Sequence, residues 1–145
     1  MKPKLNPRYG RYQLRVSRSR IHSYGLFALE DIPRGKQVIQ YTGKRIPLVS
    51  ALDYTFKTDR YLVRLNDQWV IDGRHGGSGA EIVNHSCEPN LIVRREKGGV
   101  FFFSRRKIRA GEELTFRYGY ATRVTRVPCH CKSPNCRGTL RYIFH

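Results

Sequence analysis

Residues 84–90 read Asn84-His85-Ser86-Cys87-Glu88-Pro89-Asn90, and the reading of the whole chain turns on them. Cys87 is the first of four cysteines; the other three stand together near the C-terminus as Cys129-His130-Cys131-Lys132-Ser133-Pro134-Asn135-Cys136. Two cysteines one residue apart strain the geometry of a bridge between them. The same spacing suits thiolates converging on one metal ion about 2.3 Å away. A closed structural zinc site takes four ligands and the tail offers three cysteines, so a Cys₄ site uses Cys87, Cys129, Cys131 and Cys136. His130 is a fallback fourth ligand, awkwardly held between two ligating cysteines. Redox chemistry or buried thiols is the rival reading, and a chain kept in a reducing compartment weakens its disulfide version. If Cys87 is a ligand, the tail folds back onto residues 84–87.

Around that stretch the pattern is one of short strands. Tyr12, Leu14 and Val16 alternate with polar residues at the period of two of a half-buried strand. Gly25-Leu26-Phe27-Ala28 begins another apolar stretch, and Pro33-Arg34-Gly35 reads as a turn before Val38-Ile39-Gln40-Tyr41. Residues 61–65 and 69–71 form a hairpin across Asn66-Asp67-Gln68, and residues 91–93 and 100–103 form another across Lys97-Gly98-Gly99. Leu114, Phe116 and Tyr118 alternate again. Helical signals are few: Pro47 to about Tyr54 forms a short helix with Pro47 in its first turn, and the glycine-rich loop 73–79 leads to one helical turn before Asn84. The expected architecture is mainly β: a lead-in over 1–11, one domain over 12–121 and a zinc-binding tail over 122–145.

With 28 Lys and Arg against 11 Asp and Glu, the 145-residue chain carries a formal charge of +17. Nucleic acid is the commonest partner of such a surface, and a solvated basic face without a specific partner is the plain alternative. The basic residues are spread along the chain, which favours broad phosphate contact over base readout. No run approaches a membrane span, and the first residues lack the apolar core of a secretory signal. The expected location is therefore intracellular: cytoplasm or nucleoid in a prokaryote, nucleus in a eukaryote.

Residues 84–90 closely resemble the Asn-His-Ser-Cys-x-Pro-Asn signature of SET-domain protein lysine methyltransferases. Companion motifs follow in the family's order. Residues 23–28 resemble its Gly-x-Gly-leading loop, Tyr41-Thr42-Gly43 its Tyr-x-Gly turn, and Gly111-Glu112-Glu113-Leu114-Thr115-Phe116-Arg117-Tyr118 its Glu-Leu-x-x-Asp-Tyr motif. The tail resembles the post-SET zinc segment, including Arg137-Gly138. The match spans about residues 12 to 141. It implies a SET-domain fold of small curved sheets around a threaded strand, with a post-SET zinc tail. The implied activity is methyl transfer from S-adenosylmethionine to a lysine of a basic, DNA-associated protein such as a histone, with non-specific nucleic-acid contact through the basic surface and no membrane partner. The alternative is a SET-fold DNA- or nucleosome-binding module with weak or no catalysis.

By that resemblance Tyr118 is the catalytic tyrosine and Tyr41 its partner on the substrate channel. Phe116 and Val63 line the channel and leave room for di- or trimethylation. The loop His22, Ser23, Tyr24 and Gly25, with Tyr61, Asn84 and His85, holds the cofactor, and Leu140 or its neighbours cover it once one structural zinc clamps the tail. Three positions depart from the family: Arg117 replaces an Asp, Glu81 an Arg and Ser23 a Gly. The first two reverse charge in opposite senses, which predicts that they pair. Substrate protein, target lysine, oligomeric state and source are not legible.

Overall fold

The computed structural model describes residues 2–51, 61–118, 127–128, 131–136 and 139–140. Strands β1 (Leu14–Arg18) and β2 (Tyr24–Ala28) form an antiparallel hairpin in which Arg18 faces Tyr24. A second sheet holds β3 (Gln37–Tyr41), β9 (Gly99–Ser104) and β8 (Leu91–Glu96) in that order; a third holds β4 (Lys44–Pro47), β6 (Trp69–Asp72) and β5 (Leu62–Arg64). Two short pairs complete the set. β7 (Asn84–His85) lies parallel to β10 (Thr115–Phe116), and β11 (Val127–Pro128) lies antiparallel to β12 (Thr139–Leu140). The only α-helix among the described residues, α1, is a single turn at Leu48–Ala51.

Both expected hairpins form. The turn of β8–β9 is tighter than the three residues expected, because Lys97 and Gly98 both take left-handed backbone, with φ of 51° and 72°. That is what a two-residue turn matching the strand twist requires, and it leaves Gly99 to pair with Glu96. Pro47 is not in the first turn of α1; it ends β4, opposite Trp69. β4 is an edge strand, where a residue without an N–H costs no ladder bond. The rest of that expected helix, residues 52–60, lies outside the described residues. The first strand starts at Leu14, not Tyr12, and the 114–118 alternation yields two paired residues, because β7 is only two residues long.

Leu26, Ile32, Val38, Ile39, Tyr41, Val100, Phe102, Ile108 and Leu114 are all at most 1% exposed and pack in one core cluster. Each large apolar side chain so buried stabilises the fold by about 1.5–3 kcal/mol. Ile46, Ala51, Leu62 and Val70 form a smaller second cluster under the β4–β6–β5 sheet. The lead-in is docked as well. Asn6 caps a 3₁₀ turn over Pro7–Tyr9 and donates its N–H to Ser78 O at 2.8 Å, and Gly10 bridges Ile39.

The parallel β7–β10 pair is the feature that builds the site, for it joins segments about thirty residues apart and sets Phe116 beside His85. Asn90, 2% exposed, locks the junction: its Oδ1 accepts from Thr115 N at 2.8 Å and its Nδ2 donates to Glu113 O at 2.9 Å.

Candidate cofactor and substrate site

Asn84 organises the loop between β1 and β2. Its side-chain amide donates to Tyr24 O at 2.8 Å and to Glu113 Oε1 at 2.9 Å, with His22 O and Ser19 Oγ each 3.2 Å away. The Ser19 hydroxyl donates to both oxygens of Glu113, at 2.7 and 2.9 Å, and accepts from Ile21 N. A buried amide with its donors spent in this way fixes backbone rather than merely filling space. A Cβ on Gly25 would collide with the Glu113 carboxylate, so the loop passes there only as glycine. Ser23 holds φ of 43°, the left-handed region that a side chain disfavours.

Tyr118 sits over the β7–β10 pair. Its backbone N–H donates to His85 Nδ1 at 3.0 Å and its hydroxyl to Val83 O at 3.0 Å. The ring lies 4.9 Å from Phe116 and 5.3 Å from His85, and Phe116 lies 4.6 Å from Phe102, so an aromatic stack runs from the core outward. Tyr41 is buried, and its hydroxyl donates to Tyr61 O at 2.5 Å. Burial, then the neighbouring Glu81 and Tyr118, hold its phenol well above the ordinary value, so it stays neutral.

Between these groups lies a cavity of about 310 Å³, within the range of roughly 300–1,000 Å³ of small-molecule sites. His22, Ser23 and Tyr24 form one wall, Asn84, Ile82 and Tyr118 another, and Tyr61, Gly73, Arg74, Glu81 and Pro3 complete the lining. Arg74 grips Asp72 with two side-chain bonds, of 2.6 and 3.0 Å. Burial works to raise the Asp72 carboxyl, but the bonds from Arg74 outweigh it and hold the group below its ordinary value. Glu81 is raised by burial, despite accepting Gly79 N–H at 2.7 Å. Glu81 and Arg117 do not pair. Arg117 donates to Cys87 O at 3.0 Å, and no ion pair among the described residues joins the two, since each is anchored to backbone instead.

The sulfurs of Cys87, Cys131 and Cys136 lie within 4.8 Å of one another. Tetrahedral bonds of about 2.3 Å would set thiolates roughly 3.8 Å apart, so the group fits three corners of a zinc site. The tail does fold back onto Cys87, as a shared site demands. Cys129 and His130 lie outside the described residues.

Of the residues singled out in the sequence, the fold gathers His22, Ser23, Tyr24, Tyr61, Asn84 and Tyr118 around the cavity. Gly25, Tyr41, His85 and Phe116 are buried and are not part of that lining, and Val63 is buried in the main core. Leu140 is placed in β12, with its side chain outside the described residues. Sequence reasoning gave no role to Ser19, Glu113, Asn90 or Arg74. Glu113 and Asn90 sit inside quoted motifs and carried a signal; Ser19 and Arg74 carried none.

A small-molecule cavity beside a tyrosine that follows a parallel strand pair, with a cluster of three cysteines drawn from the chain's middle and its tail, defines a ligand-binding β domain. The SET domain family matches residues 23–119, and the chain belongs to it. It is 36% identical over 138 residues to the histone-lysine N-methyltransferase, H3 lysine-4 specific, of Schizosaccharomyces pombe, covering 88% of this chain and 15% of that protein. It is 33% identical over 144 residues to the human histone-lysine N-methyltransferase SETD1B, covering 92% of this chain and 7% of the relative. Among solved structures it resembles KRYPTONITE in complex with mCHG DNA and SAH, with a TM-score of 0.76 and 30% identity over 91% of this chain and 30% of that one. The chain thus spans a small fraction of the length of the relatives it matches.

Proposed function

We propose that this domain transfers methyl groups from S-adenosylmethionine to a lysine of a histone or another basic, DNA-associated protein. The observation that carries it is Tyr118, fixed at hydroxyl and backbone on the wall of a cavity that Asn84 and the 22–24 loop enclose. The cavity fits the donor in size and in its mixed aromatic and polar lining. S-adenosylmethionine, when bound, supplies a methyl carbon activated by a positively charged sulfur. His22, Ser23, Tyr24, Asn84 and Tyr61 would hold it, with His85 and Gly25 shaping the wall and Leu140 covering it.

The chain's task is to present a neutral amine in line with that carbon. A lysine in water is protonated, its pKa near 10.4. Drawing its stem along aromatic rings disfavours the charged form, so the proton passes to water before transfer. Tyr118 offers a hydroxyl oxygen to position the amine, and Tyr41 supports the channel from behind. Phe116 has no hydroxyl to hold a water or restrain the amine, and Val63 is small; both favour di- and trimethylation. Zinc at Cys87, Cys129, Cys131 and Cys136 would be structural, since four thiolates leave no position for substrate.

The test is labelled methyl transfer to histones and other basic DNA-packaging proteins, with lysine products resolved by mass spectrometry. Label on lysine supports the reading, and its absence with every such protein sinks it. Strictly monomethyl-lysine at saturating enzyme would remove the product assignment alone. The charge of +17 favours a second reading, a chromatin-binding module with little catalysis. In both readings the basic surface meets DNA phosphate and the protein works on DNA-bound proteins, in the nucleus where the cell is eukaryotic. DNA affinity that does not change between low and physiological salt would exclude the phosphate contact.

A further inference from the structure

The described lining of the cavity carries an acidic group that the strongly basic sequence does not lead one to expect. Arg74 and Glu81 are the basic and the acidic side chain of its described lining, beside the imidazole of His22. Arg74 is spent on Asp72, whose side chain is 2% exposed, with their atoms 2.6 Å apart. Glu81 has no ion-pair partner among the described residues, and its carboxylate takes backbone N–H groups alone, those of Gly79 and of Glu81 itself. Among the described residues the wall therefore presents a carboxylate with no cation paired to it, within a molecule of net charge +17.

That carboxylate is built in. A Cβ on Gly73 would lie 2.6 Å from Glu81 Cβ, and one on Gly77 would lie 2.5 Å from Glu81 Oε1. The glycine-rich loop thus wraps the Glu81 side chain at two positions where any other residue would push it away. Burial already strains the charged form, as its raised pKa shows. A cationic ligand would relieve that strain; a neutral one would not.

We propose that Glu81 is a selectivity residue of the site, favouring the positively charged sulfonium donor over the neutral thioether left after transfer. The inference rests on the methyl-donor reading above. In a partly enclosed cavity, attraction between opposite charges is far less screened than in water, so one carboxylate discriminates between ligands that differ by one charge. The consequence is a lower tendency for spent product to occupy the site.

The experiment is calorimetric titration of the full chain with S-adenosylmethionine and with S-adenosylhomocysteine, beside Glu81→Gln and Glu81→Asp. The glutamine keeps an oxygen for Gly79 N–H and removes the charge. It should shift the ratio of the two affinities toward the product by roughly tenfold, equivalent to about 1.4 kcal/mol, while the aspartate retains the preference. Should Glu81→Gln fail to fold, the unaltered chain still decides, because added salt should narrow its own ratio. A ratio indifferent to both charge removal and salt overturns the proposal. Weakened binding of a lysine peptide with the nucleoside ratio intact also overturns it, since Glu81 then reads the substrate. If neither nucleoside binds the unaltered chain, the methyl-donor reading itself has failed.

Discussion

His85 joins the tyrosine of the site to the thiol cluster behind it: its Nδ1 accepts the backbone N–H of Tyr118 at 3.0 Å, and its Nε2 lies 3.5 Å from Cys87 Sγ. An Nδ1 that accepts carries no proton, so the ring proton of the neutral imidazole sits on Nε2 and points at sulfur. A metal-bound thiolate would welcome that donor. The cluster and Tyr118 are thereby mechanically coupled, and loss of a metal bound there should be felt at the cavity.

Tyr118→Phe removes one hydroxyl and keeps the ring contacts to Phe116 and His85. Losing the bond to Val83 O should lower stability by only about 1 kcal/mol. Methyl transfer should fall by roughly 100-fold or more, the usual scale for a group that acts in the transition state. Activity assays beside thermal melts check this, and a variant of near-normal activity would strip Tyr118 of its role.

Purified protein should contain about one zinc per chain, and Cys131→Ser should abolish it. Because binding energy of a structural metal is folding energy, a strong chelator should lower the melting temperature by many degrees and weaken nucleoside binding with it. Metal analysis and calorimetry measure both. Stoichiometric folding and binding in the metal-free chain would contradict the coupling through His85.

Ser23→Gly should stabilise the protein. Left-handed backbone costs an L-residue about 1–2 kcal/mol, and glycine's extra unfolded entropy returns part of that. The net gain should be about 0.5 kcal/mol, or a melting temperature raised by roughly 1–2 °C. A fall would mean that the Ser23 side chain makes contacts that outweigh its strain.

The two glutamates Glu81 and Glu112 should give opposite pH responses. Glu81, raised by burial, contributes stability that is present below its unfolded pKa and lost as pH rises through the folded one. Glu112 is held low by its bond to Arg106, so its contribution is present above the unfolded pKa and lost as pH falls through the folded one. Glu81→Gln should therefore gain on the parent as pH rises from about 4 to about 7, and Glu112→Gln should lose. Melting curves across that window decide, and parallel curves for Glu81→Gln would refute its buried charge.

Much of this was legible along the chain. Apolar runs flanking short polar or glycine-bearing turns gave both hairpins, because strand and turn propensities are local properties. Cys-x-Cys spacing announced a metal, since close thiols cannot readily pair with each other. Ser23 stood out because glycine's conformational freedom is a property of the residue itself. What no local pattern could supply is adjacency. That Asn84 would spend its amide on Tyr24 and Glu113, that Arg74 would be neutralised by Asp72, and that Arg117 would turn to Cys87 O instead of Glu81 all depend on bringing distant segments together. The parallel pairing of β7 with β10 does this, and its two-residue length carries too little periodicity to be read in advance. Residue chemistry named the ingredients of the site; only the packing of the core decided which of them would touch, and so which charge was left facing the cavity.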